Sequence, residues 1–247
     1  LAFVDPTLFP LAQAELPVDE KWFDIMAWGG ILIVTGYTMG SLYERKERHL
    51  RELRQTYHGV LMILCQLVSK DKYTQNHSYR VSVYAASIAS ELGLDDNQIE
   101  DIRAASLLHD IGKLEISREL LYKAAKLSAE ESMEMSLHVE KGGAMLQTVG
   151  GSLTRVIPIV LAHHDKFDGS GTNERGGQEI PLEARIISVA DVYDALTSDR
   201  PYRKAMSPFE ARDTITKGAG TEFDPRVVDA FLMAFRKEAL EIPEVLV

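Results

Sequence analysis

The sequence predicts an all-α fold, a helical bundle with long helical segments ahead of it, on three observations. From Asp71 onward apolar residues return every three or four positions, the period of a helix with one buried face. Helix caps and stops punctuate that pattern, whereas short alternating runs joined by hairpin turns are missing. Before Asp71 the chain reads as long helical segments of a different character. The 247 residues, 45% of them hydrophobic, suffice for one good core with further segments attached. The lone cysteine, Cys65, excludes a disulfide framework and a thiolate zinc site, and fits a reducing compartment. A formal charge of −10 argues against coating duplex nucleic acid, because that binding depends on basic side chains displacing counterions. Any anionic ligand must therefore meet a locally basic pocket.

Taken in chain order, residues 1–24 read as an extracytoplasmic juxtamembrane segment left from a truncated sensor region. Residues 25–43 carry no charge, and at about 1.5 Å per residue they come close to spanning a bilayer core of roughly 30 Å. Glu15, Asp19, Glu20 and Asp24 precede this run with only Lys21 against them, while Arg45, Lys46, Arg48, Arg51 and Arg54 follow it. The positive-inside bias thus predicts a transmembrane helix with everything after Tyr43 in the cytoplasm. Trp22, Trp28, Tyr37 and Tyr43 suit the interfaces, and Gly36-x-x-x-Gly40 permits close approach of two such helices. A buried helix of a soluble domain is the competing interpretation. Next, Tyr43, Lys46, Leu50, Leu53, Tyr57, Val60, Leu64 and Leu67 alternate steps of three and four. That is a coiled-coil seam, which predicts a linker helix over 44–69 and a homodimer formed through 43–67. Val60 to Val68 would double as the first core helix of the domain downstream.

Within residues 70–247, Val81, Tyr84, Ala85, Ile88 and Leu92 share one helical face, and Gly93 supplies a stop. Asp95 caps a helix carrying Ile99, Ile102, Ala105 and Leu108. Ser128 with Glu131, and Ser207 with Glu210, have the spacing of capping boxes, and Asp224-Pro225 opens the last helix.

The chemistry lies in where the histidines fall. His77, His109-Asp110, His138, His163-His164 and Asp191 follow one another at intervals of roughly 25 to 32 residues. That interval is one helix plus its connection, so successive helices of a bundle would each present a ligand to one interior point. His49 and His58 fall outside the pattern. Five imidazoles and two carboxylates exceed the needs of one ion, and two ions sharing a carboxylate use all seven. Asp110, directly after His109, is the natural bridge. His77, His109 and Asp191 are assigned to one ion, and His138, His163 and His164 to the other. Such nitrogen and oxygen shells suit iron or manganese, with zinc and nickel as alternatives. A water activated between two ions would attack phosphorus, so the chemistry expected is hydrolysis of a phosphate ester.

At this point the residues resemble a known family. His109-Asp110-Ile111-Gly112-Lys113-Leu114 is similar to the signature of HD-domain phosphohydrolases. The stretch His163-His164-Asp165-Lys166-Phe167-Asp168-Gly169-Ser170-Gly171, followed by the run from Asp191 to Arg203, narrows the resemblance to the HD-GYP subfamily over about Asp71 to Leu240. It implies a bundle of HD-domain type and a phosphodiesterase that cleaves the bacterial messenger cyclic di-GMP to pGpG and then GMP. With the uncharged run and its flanking charges, this places the protein in the bacterial inner membrane with the catalytic domain in the cytoplasm, and a diguanylate cyclase-type protein is an expected partner. Carried over by position, Asp110 and Lys113 would act at the scissile phosphate, Gly171 and Thr172 would line the substrate, and Arg200 and Arg203 would hold its phosphates.

Two departures from the family pattern matter. Gly171-Thr172-Asn173 stands where the family carries Gly-Tyr-Pro, removing a ring that could stack on guanine and a proline that would stiffen the loop. Tyr73 stands four residues before His77, where members of a three-metal type place a glutamate, and this predicts two metals. The altered loop leaves two alternatives beside cyclic di-GMP hydrolysis. One is a cyclic-dinucleotide sensor or scaffold with little turnover, and the other an HD phosphohydrolase acting on another nucleotide.

Overall fold

The computed structural model describes residues 18–68, 72–121, 123, 127–171, 173, 175–199 and 203–241. Thr172 and Arg200, most of the segment at 1–24, and the side chains of Leu64, Leu67 and Tyr73 lie outside what is described. The described residues form helices and the turns between them, with no strand among them, and an isolated bridge joins Ala219 and Phe223. They divide into two units, residues 1–57 and 58–247.

Helix α1 (Val18–Val68) is continuous through residue 43, where membrane and linker segments were expected to meet. Its segment Trp22–Ile63 contains a window of mean hydropathy 1.4, none of it buried, long and apolar enough by length and composition to cross a membrane. The last turns of α1 belong to the second unit. Leu61 is only 3% exposed there, and His58 Nε2 lies 2.9 Å from Glu100 Oε2.

The second unit is built on helices α2 (Lys72–Glu91), α3 (Asp96–Leu108), α4 (Arg118–Leu121), α5 (Ala129–Ser136), α6 (His138–Val149), α7 (Ile157–Val160), α8 (Leu182–Thr197), α9 (Pro208–Lys217) and α10 (Pro225–Arg236). The starts and stops read from sequence hold. Asp95 and Ser128 close capping boxes on α3 and α5, Ser207 does so on α9, and the Asp224 carboxylate accepts from Arg226 N at α10. Gly93 ends α2 at φ 73, a conformation a side chain rarely adopts.

Helix α8 lies at the centre. Ile186, Ile187, Val189 and Ala190 are buried, and α2, α3, α7, α9 and α10 pack around it. Tyr193 meets Tyr84 of α2 and Phe231 of α10 edge to face, with ring centroids 5.1 and 5.3 Å apart. A buried ion pair, Arg185 Nη1 to Asp224 Oδ2 at 2.5 Å, ties α8 to the start of α10. The short 3₁₀ turn Ile111–Glu115 presses onto α6 through two glycines. A Cβ on Gly112 would collide with the His138 carbonyl oxygen and stand 2.5 Å from Gly142 N.

Candidate metal centre

Where each imidazole sits follows from helix ends. The last carbonyls of a helix lack an intrahelical partner, and an imidazole N–H placed three residues on can supply one. His109 after α3 donates Nδ1–H to Ser106 O at 2.8 Å, and His138 after α5 donates to Met135 O at 2.7 Å. His163 after α7 donates to Val160 O at 2.6 Å. One arrangement used three times fixes Nδ1 as the donor and turns each Nε2 inward.

His77 is oriented differently, from inside a helix. Its Nδ1 meets Asp194 Oδ2 at 2.7 Å, and Arg80 grips the same carboxylate at 2.5 and 2.9 Å while reaching Ser198 Oγ at 3.0 Å. His77 and Arg80 lie three apart on α2, and Asp191 and Asp194 lie three apart on α8, so each pair shares a helix face and the two faces mesh. Asp194 is fully buried, and the hydrogen bond from His77 together with the Arg80 guanidinium lets its charge persist there. The sequence reading missed Asp194 and Arg80. The signal available was their i, i+3 spacing from His77 and Asp191.

All seven residues expected as ligands come together. His77, His109 and Asp191 offer ligand atoms within 4.8 Å of one another, and so do His138, His163 and His164. These groups coincide with the residues assigned to each ion, and a third group, His109, Asp110 and His163, overlaps both. Asp110 stands between them, with Oδ2 3.3 Å from His109 Nε2 and 4.0 Å from His77 Nε2, and Oδ1 3.5 Å from His138 Nε2. The donor set suits a metal on a further ground. The buried Nε2 atoms of His138 and His163 have no hydrogen-bond partner among the described residues, a cost a divalent ion would remove.

Electrostatics divide the groups. Burial opposes the charged form of all these residues and is the largest influence on each. At His77 the hydrogen bonds to Asp191 and Asp194 overcome it and hold the pKa up at about 9. At His109 the Asp110 carboxylate overcomes it. Asp110 and Asp191 stay ionised despite burial, Asp110 through Lys113 and His109, Asp191 through His77. At His138 and His163 burial prevails and pushes the pKa down. Desolvation takes His164 to about 4 against the pull of Asp191 and Asp110, although it alone in its group has an exposed surface. The second group is therefore three neutral imidazoles with lone pairs available.

The expected substrate contacts are less gathered. Lys113 Nζ lies 2.6 Å from Asp110 Oδ2, at the centre. Gly171 backs onto the chain beside His164, where a Cβ would stand 3.0 Å from Lys166 N. Arg203 donates to the Ala195 carbonyl of α8.

Comparison with known proteins adds the family. A family model described as HD domain matches residues 62–227. The chain belongs to the HD-domain family. Its relatives place it in the HD-GYP subfamily. The cyclic di-GMP phosphodiesterase response regulator RpfG of Xanthomonas campestris is 37% identical over 78% of this chain and 52% of its own length. A 3'3'-cGAMP-specific phosphodiesterase of Vibrio cholerae is 33% identical over 93% of this chain and 43% of its own. This HD-domain chain thus spans about half the length of the curated relatives it matches. Among solved structures, a cyclic GMP-AMP specific phosphodiesterase of V. cholerae matches with a TM-score of 0.57 at 18% identity, covering 76% of this chain and 51% of that one, and supports the HD fold.

Proposed function

We propose that the chain is a metal-dependent phosphodiesterase of cyclic dinucleotides, with cyclic di-GMP as substrate and pGpG and GMP as products. The observation that carries this reading is the Asp110 carboxylate, turned with one oxygen toward His77 and His109 and the other toward His138. The two ligand groups on either side would each hold one divalent ion, of iron or manganese, with zinc and nickel as alternatives. Ions bound there would supply an acidified water and neutralise charge on the phosphoryl oxygens. Asp194, with the Nδ1 bonds of His109, His138 and His163, keeps the imidazoles aimed before any ion arrives. Lys113 is the cation the centre offers an incoming phosphate, and Arg200 and Arg203 serve the second phosphate of a dinucleotide. Gly171 and Thr172 would line the substrate.

A mixed cyclic dinucleotide is the second candidate substrate, favoured by the similarity over 93% of this chain to the 3'3'-cGAMP-specific enzyme. The chain loaded anaerobically with Fe²⁺ or Mn²⁺ and given each cyclic dinucleotide tests both readings. Release of pGpG or GMP from cyclic di-GMP supports the first, and cleavage of 3'3'-cGAMP alone the second. Tight binding without product would make the chain a sensor.

The exposed apolar stretch of α1 and the basic cluster after it support an inner-membrane anchor at 25–43, with residues 58–247 in the cytoplasm. The three-four seam through 43–67 supports a homodimer, and a diguanylate cyclase-type protein is the proposed partner. A membrane anchor should keep the full chain in the pellet after alkaline carbonate, and release by carbonate would contradict it.

A further inference from the structure

Four of the five imidazoles in the centre are aimed by their own Nδ1 hydrogen bonds. His164 has no such bond among the described residues, so its ring goes where its backbone is held. What holds that backbone is the segment that departs from the family pattern. Asn173 Nδ2 donates to Asp165 Oδ1 at 2.7 Å, and Arg175 Nε lies 3.1 Å from Asp165 Oδ2. Arg175 Nη2 also donates to Leu161 O at 3.2 Å. The two side chains thus grip the chain on both sides of His163-His164, three residues before His164 and one after it. Asp165 is buried, its Oδ1 accepting from Asn173 and its Oδ2 meeting Arg175 as an ion pair without a hydrogen bond. Asp165 N in turn donates to Ala162 O at 3.0 Å, and Gly171 lies against Lys166 N.

We propose that Asn173, Arg175 and Asp165 form a brace that positions His164, so that the residue at 173 governs retention of the ion in the group His138, His163 and His164. Asn173 supplies through a side-chain hydrogen bond the anchoring that a rigid residue would supply through its ring. It is a positioning residue, and Asn173→Asp, nearly isosteric, replaces its donor with a second carboxylate facing Asp165.

The inference rests on the two-ion reading, and the test separates the two. Mn²⁺ binding to the full chain in detergent is titrated by electron paramagnetic resonance for wild type, His164→Ala, Asn173→Asp, Arg175→Ala and the double variant His164→Ala/Asn173→Asp. Apo circular dichroism confirms that each is folded. His164→Ala should lose one of two ions. Asn173→Asp and Arg175→Ala should each weaken that same ion by roughly tenfold or more and spare the other, and the double variant should bind as His164→Ala does. Wild-type binding in both Asn173→Asp and Arg175→Ala would overturn the brace while leaving the two-ion reading intact, and so would further weakening of the remaining ion in the double variant. Two ions retained in His164→Ala would overturn the two-ion reading and the brace with it.

Discussion

Asp194 shows how a residue outside the ligand set can decide the centre's chemistry. It accepts from His77 Nδ1 and is itself held by Arg80, so His77 presents Nε2 and no other atom to the interior. Asp194→Asn keeps the shape but removes the charge and can offer an N–H where an acceptor is needed. We predict a loss of metal affinity of roughly 10- to 100-fold, with an unchanged circular dichroism spectrum, measured by competition against a chromophoric chelator. Unaltered affinity would mean that His77 is aimed by something else. At this scale the cluster proposed as ligands was legible in the sequence, because histidine and aspartate recurring at helix-length intervals point to one shared interior site. The residues that aim them were not, since an aspartate three positions from another reads as an ordinary solvated charge until a second helix is packed against it. Asn173 was legible only as a departure from a pattern. Its bond to Asp165 spans a loop whose path no periodicity encodes.

At the scale of elements, caps were the most readable feature, because each is a local contact within four residues. The boxes at Asp95, Ser128 and Ser207 stand as read. The division of α1 into membrane and linker segments was a functional distinction that the backbone does not mark, for the helix carries no break at residue 43. The 3₁₀ turn Ile111–Glu115 could not be foreseen, yet it sets the distance between Asp110 and His138. Gly112 allows that turn to touch α6, and any Cβ there meets backbone atoms rather than a side chain able to rotate away. Gly112→Ala should therefore cost about 1–3 kcal/mol by overpacking, read from the denaturation midpoint, and should also lower metal content. Wild-type stability would show that the turn can lift off α6 freely.

At the scale of the whole molecule, metal bound at the proposed centre would be coupled to stability. The seven proposed ligand residues are drawn from α2, α6 and α8 and from the turns after α3 and α7, so ions bound to them would cross-link most of the second unit. Ligands that bind only the folded state stabilise it by about 2.7 kcal/mol at a hundredfold excess over Kd. At about 2–4 °C per kcal/mol for a domain of this size, removing the metal with a chelator should lower Tm by roughly 5–10 °C, and adding Mn²⁺ back should restore it. An unchanged melting curve would indicate that the unit is held by its α8-centred core alone.

The most direct test of the central claim is the metal content of Asp110→Ala beside wild type, by plasma mass spectrometry on anaerobically loaded protein, with cyclic di-GMP turnover measured on the same samples. If Asp110 joins two ions, wild type should carry two per chain and turn over substrate, while Asp110→Ala should lose both stoichiometric binding and activity. Near-normal metal content in Asp110→Ala would contradict a centre bridged by that carboxylate.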